Sequence, residues 1–267
     1  MSFKFCSLAS GSSGNCQYIE TEKVRVLLDA GLSGKKIQGL LTSIDIDPTT
    51  IDCILITHEH KDHIKGAGIL SRRFNLPIYA NENTWLSMKN ELGNIKEENI
   101  RVIGAESDFE IGDLGVSTFK ISHDAVEPVG YSFYNKGIKM SIVTDTGCIN
   151  ENIKKEIRDS NLLMIESNHD TEMLKIGSYP MFLKRRILGE FGHLSNDDAG
   201  KLLTEILTGK NEKIILGHIS NENNFPELAY QTVANILTEK GIDIFKDISL
   251  EATYRDRPTK VYDFKNL

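Results

Sequence analysis

Three histidines fall within six residues of the stretch ILITHEHKDHIKG, Ile54 to Gly66, and an aspartate stands directly before the last of them. Imidazole nitrogens and carboxylate oxygens gathered at that density point to divalent-metal ligation. His58 and His60, two residues apart after an apolar run, can converge on one ion. Asp62 and His63, in the turn that follows, can reach a second ion close by. Farther along, His123 follows FKIS, Asp145 follows SIVT and His218 follows KIILG. His123 would complete the first set and His218 the second, while Asp145 would bridge both with its two oxygens. With no cysteine in the set there is no soft-ligand bias, so two Zn²⁺ or Mn²⁺ ions suit it, and Fe²⁺ is also compatible. Two such ions sharing a water would lower its pKa toward neutrality and so supply a hydroxide nucleophile for hydrolysis.

These residues need elements to position them. Short runs rich in Val, Ile and Phe recur between Gly, Asn and Asp turns: FKFCSLA, CQYIET, VRVLLDAG, CILITH, VSTFKISH, KMSIVTDTG, LLMIESNH and KIILGHIS. Their pattern predicts strands. Helix-period segments lie between several of them, GKKIQGLLTSI, KGAGILSRRF, NTWLSMKNEL, SNDDAGKLLTEILTG and PELAYQTVANILTEKG, the last opening on Pro226 at a first-turn position. The expected class is α/β, sheets with helices packed outside. Each candidate ligand, and His169 after LLMIES, stands just past an apolar strand, which gathers them at one rim of the sheets.

Two further stretches bear on an anionic substrate. Ser195 and Asp198 form a Ser-x-x-Asp capping box at the head of NDDAGKLLTEILTG, and His193 lies just before that helix start, whose N–H groups and partial positive charge favour phosphate. LASGSSGNC, Leu8 to Cys16, is a Gly/Ser loop that would either cradle a phosphate on its N–H groups or simply turn a hairpin. Ser10, Ser12, Asn15, His169, Ser195 and Asn221 are the candidate substrate contacts. LKRR, Leu183 to Arg186, is the compact basic run.

The 267 residues, 40% of them hydrophobic, suffice for one large α/β domain, taken as 1–267. No basic leader with a long apolar run, and no apolar stretch of membrane-spanning length, appears in the sequence, so a cytoplasmic protein without a membrane or stable protein partner is expected. Cys6, Cys16, Cys53 and Cys148 form no CxxC pair and read as buried thiols of a reducing compartment. The formal net charge of −7 argues against a broad nucleic-acid surface. Two divalent ions would reverse that balance locally, where a scissile phosphate must sit.

THEHKDH resembles the HxHxDH signature of the metallo-β-lactamase superfamily, and His123, Asp145 and His218 fall in the order of its later motifs. That resemblance implies an αββα sandwich, two mixed β-sheets flanked by helices, with a dinuclear site on one edge. IESNHD followed by GHLSNDDAG looks like the arrangement in tRNase Z-like and other nuclease branches. It implies that Glu166 and His193, together with Asp62, serve phosphodiester cleavage, His193 protonating the leaving oxygen. The set SLASGSSGNC, DAGLSGKKI, HDAVEPVGYS, DTG and LGHISNENN resembles the YycJ/WalJ-type proteins of Gram-positive bacteria. This implies a metal-dependent 5′-to-3′ exonuclease on double-stranded DNA. The alternatives are an RNA-processing nuclease of the same superfamily and a cytosolic thioester or lactone hydrolase.

Overall fold

The computed structural model describes residues 2–265. The apolar runs form β1 (Lys4–Ala9), β2 (Cys16–Glu20), β3 (Arg25–Leu28), β4 (Cys53–Leu55), β5 (Ile78–Asn81), β6 (Ile100–Ile103), β7 (Ser107–Ile111), β8 (Leu114–Lys120), β9 (Val129–Asn135), β10 (Ile138–Val143), β11 (Leu162–Glu166), β12 (Glu212–Gly217), β13 (Ile248–Ala252) and β14 (Tyr262–Asp263). They pair as two mixed sheets of seven, in the orders β14-β1-β2-β3-β4-β5-β6 and β13-β12-β11-β10-β9-β8-β7. In each sheet an antiparallel half adjoins a parallel half. The parallel partners are β3 to β6 in the first sheet and β10 to β13 in the second.

The helices are α1 (Gly34–Ser43), α2 (Lys61–Ile64), α3 (Ala67–Phe74), α4 (Glu82–Leu92), α5 (Glu151–Ile157), α6 (Thr171–Ile176), α7 (Met181–Ile187), α8 (Asn196–Ile206) and α9 (Pro226–Glu239). Strands such as β4 and β11 are buried along their whole length because both faces are covered, as continuous apolar runs in parallel strands require. Phe5, Leu55, Tyr131, Phe133, Ile142 and Met164 fill the space between the sheets. Ile37, Leu41, Ile54, Leu70 and Met88 seal the first sheet against α1, α3 and α4. Ile165, Leu203, Leu216, Val233 and Leu237 seal the second against α8 and α9. The expected αββα sandwich is the architecture, and no helix among the described residues is long and apolar enough to cross a membrane.

The eight expected strands and five expected helices form. The strands absent from the sequence reading are β5, β6, β7, β9, β13 and β14. β6 lies on a sheet edge and its first three residues are exposed, which leaves little apolar alternation to detect. Cys6, Cys16 and Cys53 are buried free thiols as expected, whereas Cys148 is partly exposed, because it sits in the loop after β10 rather than within a strand.

Candidate metal centre

The ligand-rich stretch folds in two conformations. His58 and His60 lie in extended chain after β4, and His60 caps α2, whose single turn carries Asp62 and His63. That change of path separates the side chains. The ligand atoms of His58, His60 and His123 lie within 4.8 Å of one another, as do those of Asp62, His63 and His218. His60 Nδ1 is 3.1 Å from His58 Nε2 and 3.3 Å from His123 Nε2. Asp62 Oδ2 is 3.6 Å from His63 Nε2 and 3.9 Å from His218 Nε2.

Asp145 stands between the two sets. Its Oδ2 is 3.3 Å from His63 Nε2, while its Oδ1 is 3.2 Å from His218 Nδ1 and 3.8 Å from His123 Nε2, so the one carboxylate lies within reach of both clusters. Asp145 and His218 hold left-handed backbones, φ 59° and 53°, at the exits of β10 and β12. Non-glycine residues are held there at a cost of order 1 to 3 kcal/mol, a common feature of functional sites.

The donor set fits divalent cations. Asp145 and His218 are buried, and Asp145 Oδ2 and His218 Nε2 make no hydrogen bond. Burial alone would pull the His63 and His218 imidazoles down, but the carboxylates around them prevail. His63, beside Asp29, Asp145 and Asp62, is held well above the ordinary range, and His218, beside Asp145, Asp62 and Glu166, rises to about 10. Buried carboxylates thus draw compensating positive charge into the cluster, and divalent cations would supply it.

A supporting layer sets these groups. His63 Nδ1 lies 2.7 Å from Asp29 Oδ2, while Asp29 Oδ1 accepts from Thr57 N at 2.9 Å and Asp29 Oδ2 from Thr57 Oγ1 at 3.0 Å. Thr57 Oγ1 also meets His58 Nδ1 at 2.9 Å. Asp29, also left-handed at φ 61°, is a member of the candidate site absent from the sequence reading. Its signal was its position: like the ligands, it stands just past a strand end, in VRVLLDAG. Gly31 follows, and a Cβ there would lie 1.5 Å from the Asp62 carbonyl oxygen, so only glycine lets the two loops touch.

Glu166, fully buried at the end of β11, lies 2.8 Å by Oε1 from His193 Nδ1 and 2.7 Å from His218 Nδ1. Its Oε2 accepts from Thr146 N at 2.7 Å and Leu194 N at 3.3 Å. Burial raises this carboxyl, yet His193 and His218 overcome the effect and bring it to about 2. A carboxylate with four partners is committed to hydrogen bonding and orients both rings. His193 lines a cavity of about 250 Å³ with His60, Asp62, His123, Asp145 and His218.

The candidate substrate contacts divide. Ser12 is exposed and lines this cavity. Ser10 and Asn15 are buried and spent on the protein: Ser10 Oγ accepts from His218 N at 2.8 Å, and Asn15 Nδ2 lies 3.0 Å from His63 Nε2 and 3.4 Å from Asp62 Oδ2. The Gly/Ser loop is the β1–β2 hairpin, and Ser12 is its one member among these three that reaches the cavity. Ser195 caps α8 as expected, accepting from Asp198 N at 3.1 Å. With Asn196 N donating to His169 O, however, those N–H groups are satisfied within the protein rather than free for phosphate. His169 is buried with neither ring nitrogen hydrogen-bonded. Asn221 is exposed and bonds Arg255 at a neighbouring cavity of about 380 Å³. Arg186 of LKRR pairs with Asp124 at 2.5 Å at the wall of the histidine cavity.

Comparison with known proteins agrees with this architecture. The family described as Beta-lactamase superfamily domain matches residues 24–219. Exodeoxyribonuclease YycJ of Bacillus anthracis is 41% identical over 98% of this chain and 99% of its own length. Exodeoxyribonuclease WalJ of Streptococcus pneumoniae (strain D39) is 42% identical over 96% of each. Among solved structures, the metallo-β-lactamase fold protein YhfI from Bacillus subtilis superposes with a TM-score of 0.73 over 98% of this chain and 100% of that one, at 12% identity.

Proposed function

The chain belongs to the metallo-β-lactamase superfamily and, within it, to the YycJ/WalJ exodeoxyribonucleases, and from that premise we propose a 5′-to-3′ exonuclease that acts on double-stranded DNA with two divalent cations. It is a metal-dependent hydrolase of phosphodiester bonds. The observation that supports the finer reading is the pair of ligand clusters with the Asp145 carboxylate between them and His193 beside them at the cavity wall.

In this reading His58, His60 and His123 would hold one cation and Asp62, His63 and His218 the other, with Asp145 within reach of both; Zn²⁺, Mn²⁺ and Fe²⁺ all suit the donors. When bound, the cations lower the pKa of water and offset phosphate charge. The protein's own task is placement and proton supply. Glu166 Oε1 accepts a hydrogen bond from His193 Nδ1–H, which fixes the tautomer and leaves Nε2 as the ring's other site. Protonated there, His193 gives its proton to the leaving oxygen, a contribution of about 10² to 10⁴ in rate. Ser12 offers its hydroxyl to the strand, while Ser10, Asn15 and Asp29 hold ligands in position. The free thiols suit a cytoplasmic enzyme.

The test is digestion of a 5′-phosphorylated duplex labelled at either end, with Mn²⁺ or Zn²⁺ and with Asp62→Ala as control. Metal-dependent release of 5′ mononucleotides by the wild type is expected, and Asp62→Ala should lose activity and occupancy of one metal. Full activity of Asp62→Ala with two metals bound would overturn the ligand assignment. Turnover of RNA or of small acyl esters in place of DNA would overturn the substrate.

A further inference from the structure

Residues 171–192, which comprise α6, α7 and the loop after α7, are an exception on an acidic chain: four basic side chains stand there against two acidic ones. The same segment leaves large apolar groups in solvent. Phe182 is 74% exposed, Phe191 59% and Met181 63%. They flank the basic run, and Arg185 is exposed without an ion pair among the described residues. Lys184 Nζ is tied back to the Lys175 carbonyl, and Arg186 to Asp124.

This surface is continuous with the catalytic cavity. Tyr179, Leu183, Arg186 and Ile187 from the same segment form part of that cavity's wall. Phe191 stands two residues before His193, and the next carbonyl, that of Gly192, is 3.3 Å from His123 Nδ1. The loop is seated firmly there: a Cβ on Gly147, in the Asp145 turn, would lie 2.4 Å from the Glu190 carbonyl oxygen. Phe182 and Phe191 are thus exposed on the segment that walls the cavity, and the loop that carries Phe191 packs closely on the Asp145 turn.

Exposed aromatics beside an unpaired cation, Arg185, on the segment that walls such a site match the chemistry of unpaired nucleic acid, whose base faces stack on rings while its phosphates meet cations. A second copy of the chain fits less well, because a two-fold contact through this patch would set one cationic run against its counterpart. We propose that α7 and the loop after it form a stacking rim for the frayed, single-stranded end of the substrate, with Phe182 and Phe191 on base faces and Arg185 on a phosphate. This rests on the nuclease reading above and assigns the rim no preference among bases, since every base has a face to stack.

Binding of a fluorescein-labelled duplex bearing a single-stranded overhang, its linkages made cleavage-resistant with phosphorothioates, followed by anisotropy with Mn²⁺ present, tests it. Phe182→Ala and Phe191→Ala are each expected to weaken binding about fivefold or more, and the double variant more, at every salt concentration. Arg185→Ala should instead lower the slope of log affinity against log salt by about 0.7 to 0.9. Phe182→Trp should restore binding, and its emission should be quenched by the overhang, because the chain's single tryptophan, Trp85, is buried. A wild type that digests nucleic acid while Phe182→Ala/Phe191→Ala, shown folded by its melting curve, binds the overhang with wild-type affinity would overturn the rim. So would unquenched Phe182→Trp emission, or a wild-type dimer in light scattering that the double variant dissociates without loss of binding. A wild type with bound metal that neither binds nor cuts nucleic acid would sink the nuclease reading itself, an outcome distinguished by the wild-type assay alone.

Discussion

Asp29→Asn isolates the supporting layer from the ligands. Asp29 is buried, and its carboxylate accepts from the Thr57 N–H and hydroxyl and faces His63 Nδ1 at 2.7 Å. An amide keeps the volume but is one donor too many. With its NH₂ toward His63, Nδ1 must become the acceptor, which moves the ring proton to Nε2, the nitrogen that faces Asp62 and Asp145. That nitrogen then has no lone pair for a metal. With the amide reversed, the NH₂ meets the Thr57 N–H, and two buried donors oppose each other. Either arrangement loses about one charge-assisted hydrogen bond, roughly 1.5 to 3 kcal/mol, equivalent to weakening metal binding about 10- to 100-fold. If the site takes the two proposed cations, competition against a chromophoric chelator measures each equivalent of Zn²⁺. One equivalent should weaken by that factor while the other, on the His58, His60 and His123 side, changes less. Two equivalents bound with wild-type affinity would refute the tautomer argument and the grouping of His63 with Asp62 and His218.

Three further outcomes follow from the geometry. His193→Ala should retain both metals and lose about 10² to 10⁴ in kcat on DNA, and unchanged turnover would remove its role as proton donor. Gly31→Ala places a methyl 1.5 Å from a backbone carbonyl, so urea denaturation should show a loss of about 1 to 3 kcal/mol or more, and wild-type stability would show that the two loops separate freely. Burial lowers the His169 pKa to about 4, below the roughly 6.5 of an unfolded chain. Because the native ring refuses a proton that the unfolded chain accepts, stability is complete above about pH 6.5 and falls as the pH drops toward 4. Between pH 7 and pH 5 the wild type should lose about 2 kcal/mol more than His169→Phe, whose ring also needs no partner, and equal losses would contradict this burial effect.

The sandwich and its candidate ligands were legible because both are written locally. A buried parallel strand must be an unbroken apolar run, and the polar residue that ends it, such as Asp145 after SIVT or His218 after KIILG, marks the rim where ligands collect. Strands β6 and β13 lacked that contrast, because β6 is an exposed edge and β13 alternates only weakly. Asp29 escaped because an aspartate after a strand resembles an ordinary turn former until His63 and Thr57 are seen against it.

Residue types and strand-end spacing by themselves determined which chemistry the chain could do, since ligand identity and the order of elements are local properties. Direction is not local. Ser10 and Ser12 differ by two residues in one loop, yet one is buried beneath the His218 amide and the other lines the cavity. Whether a hydroxyl supports a ligand or meets a substrate depended on how β1 packs against the loop after β12, a contact across more than 200 residues that only the tertiary structure decided.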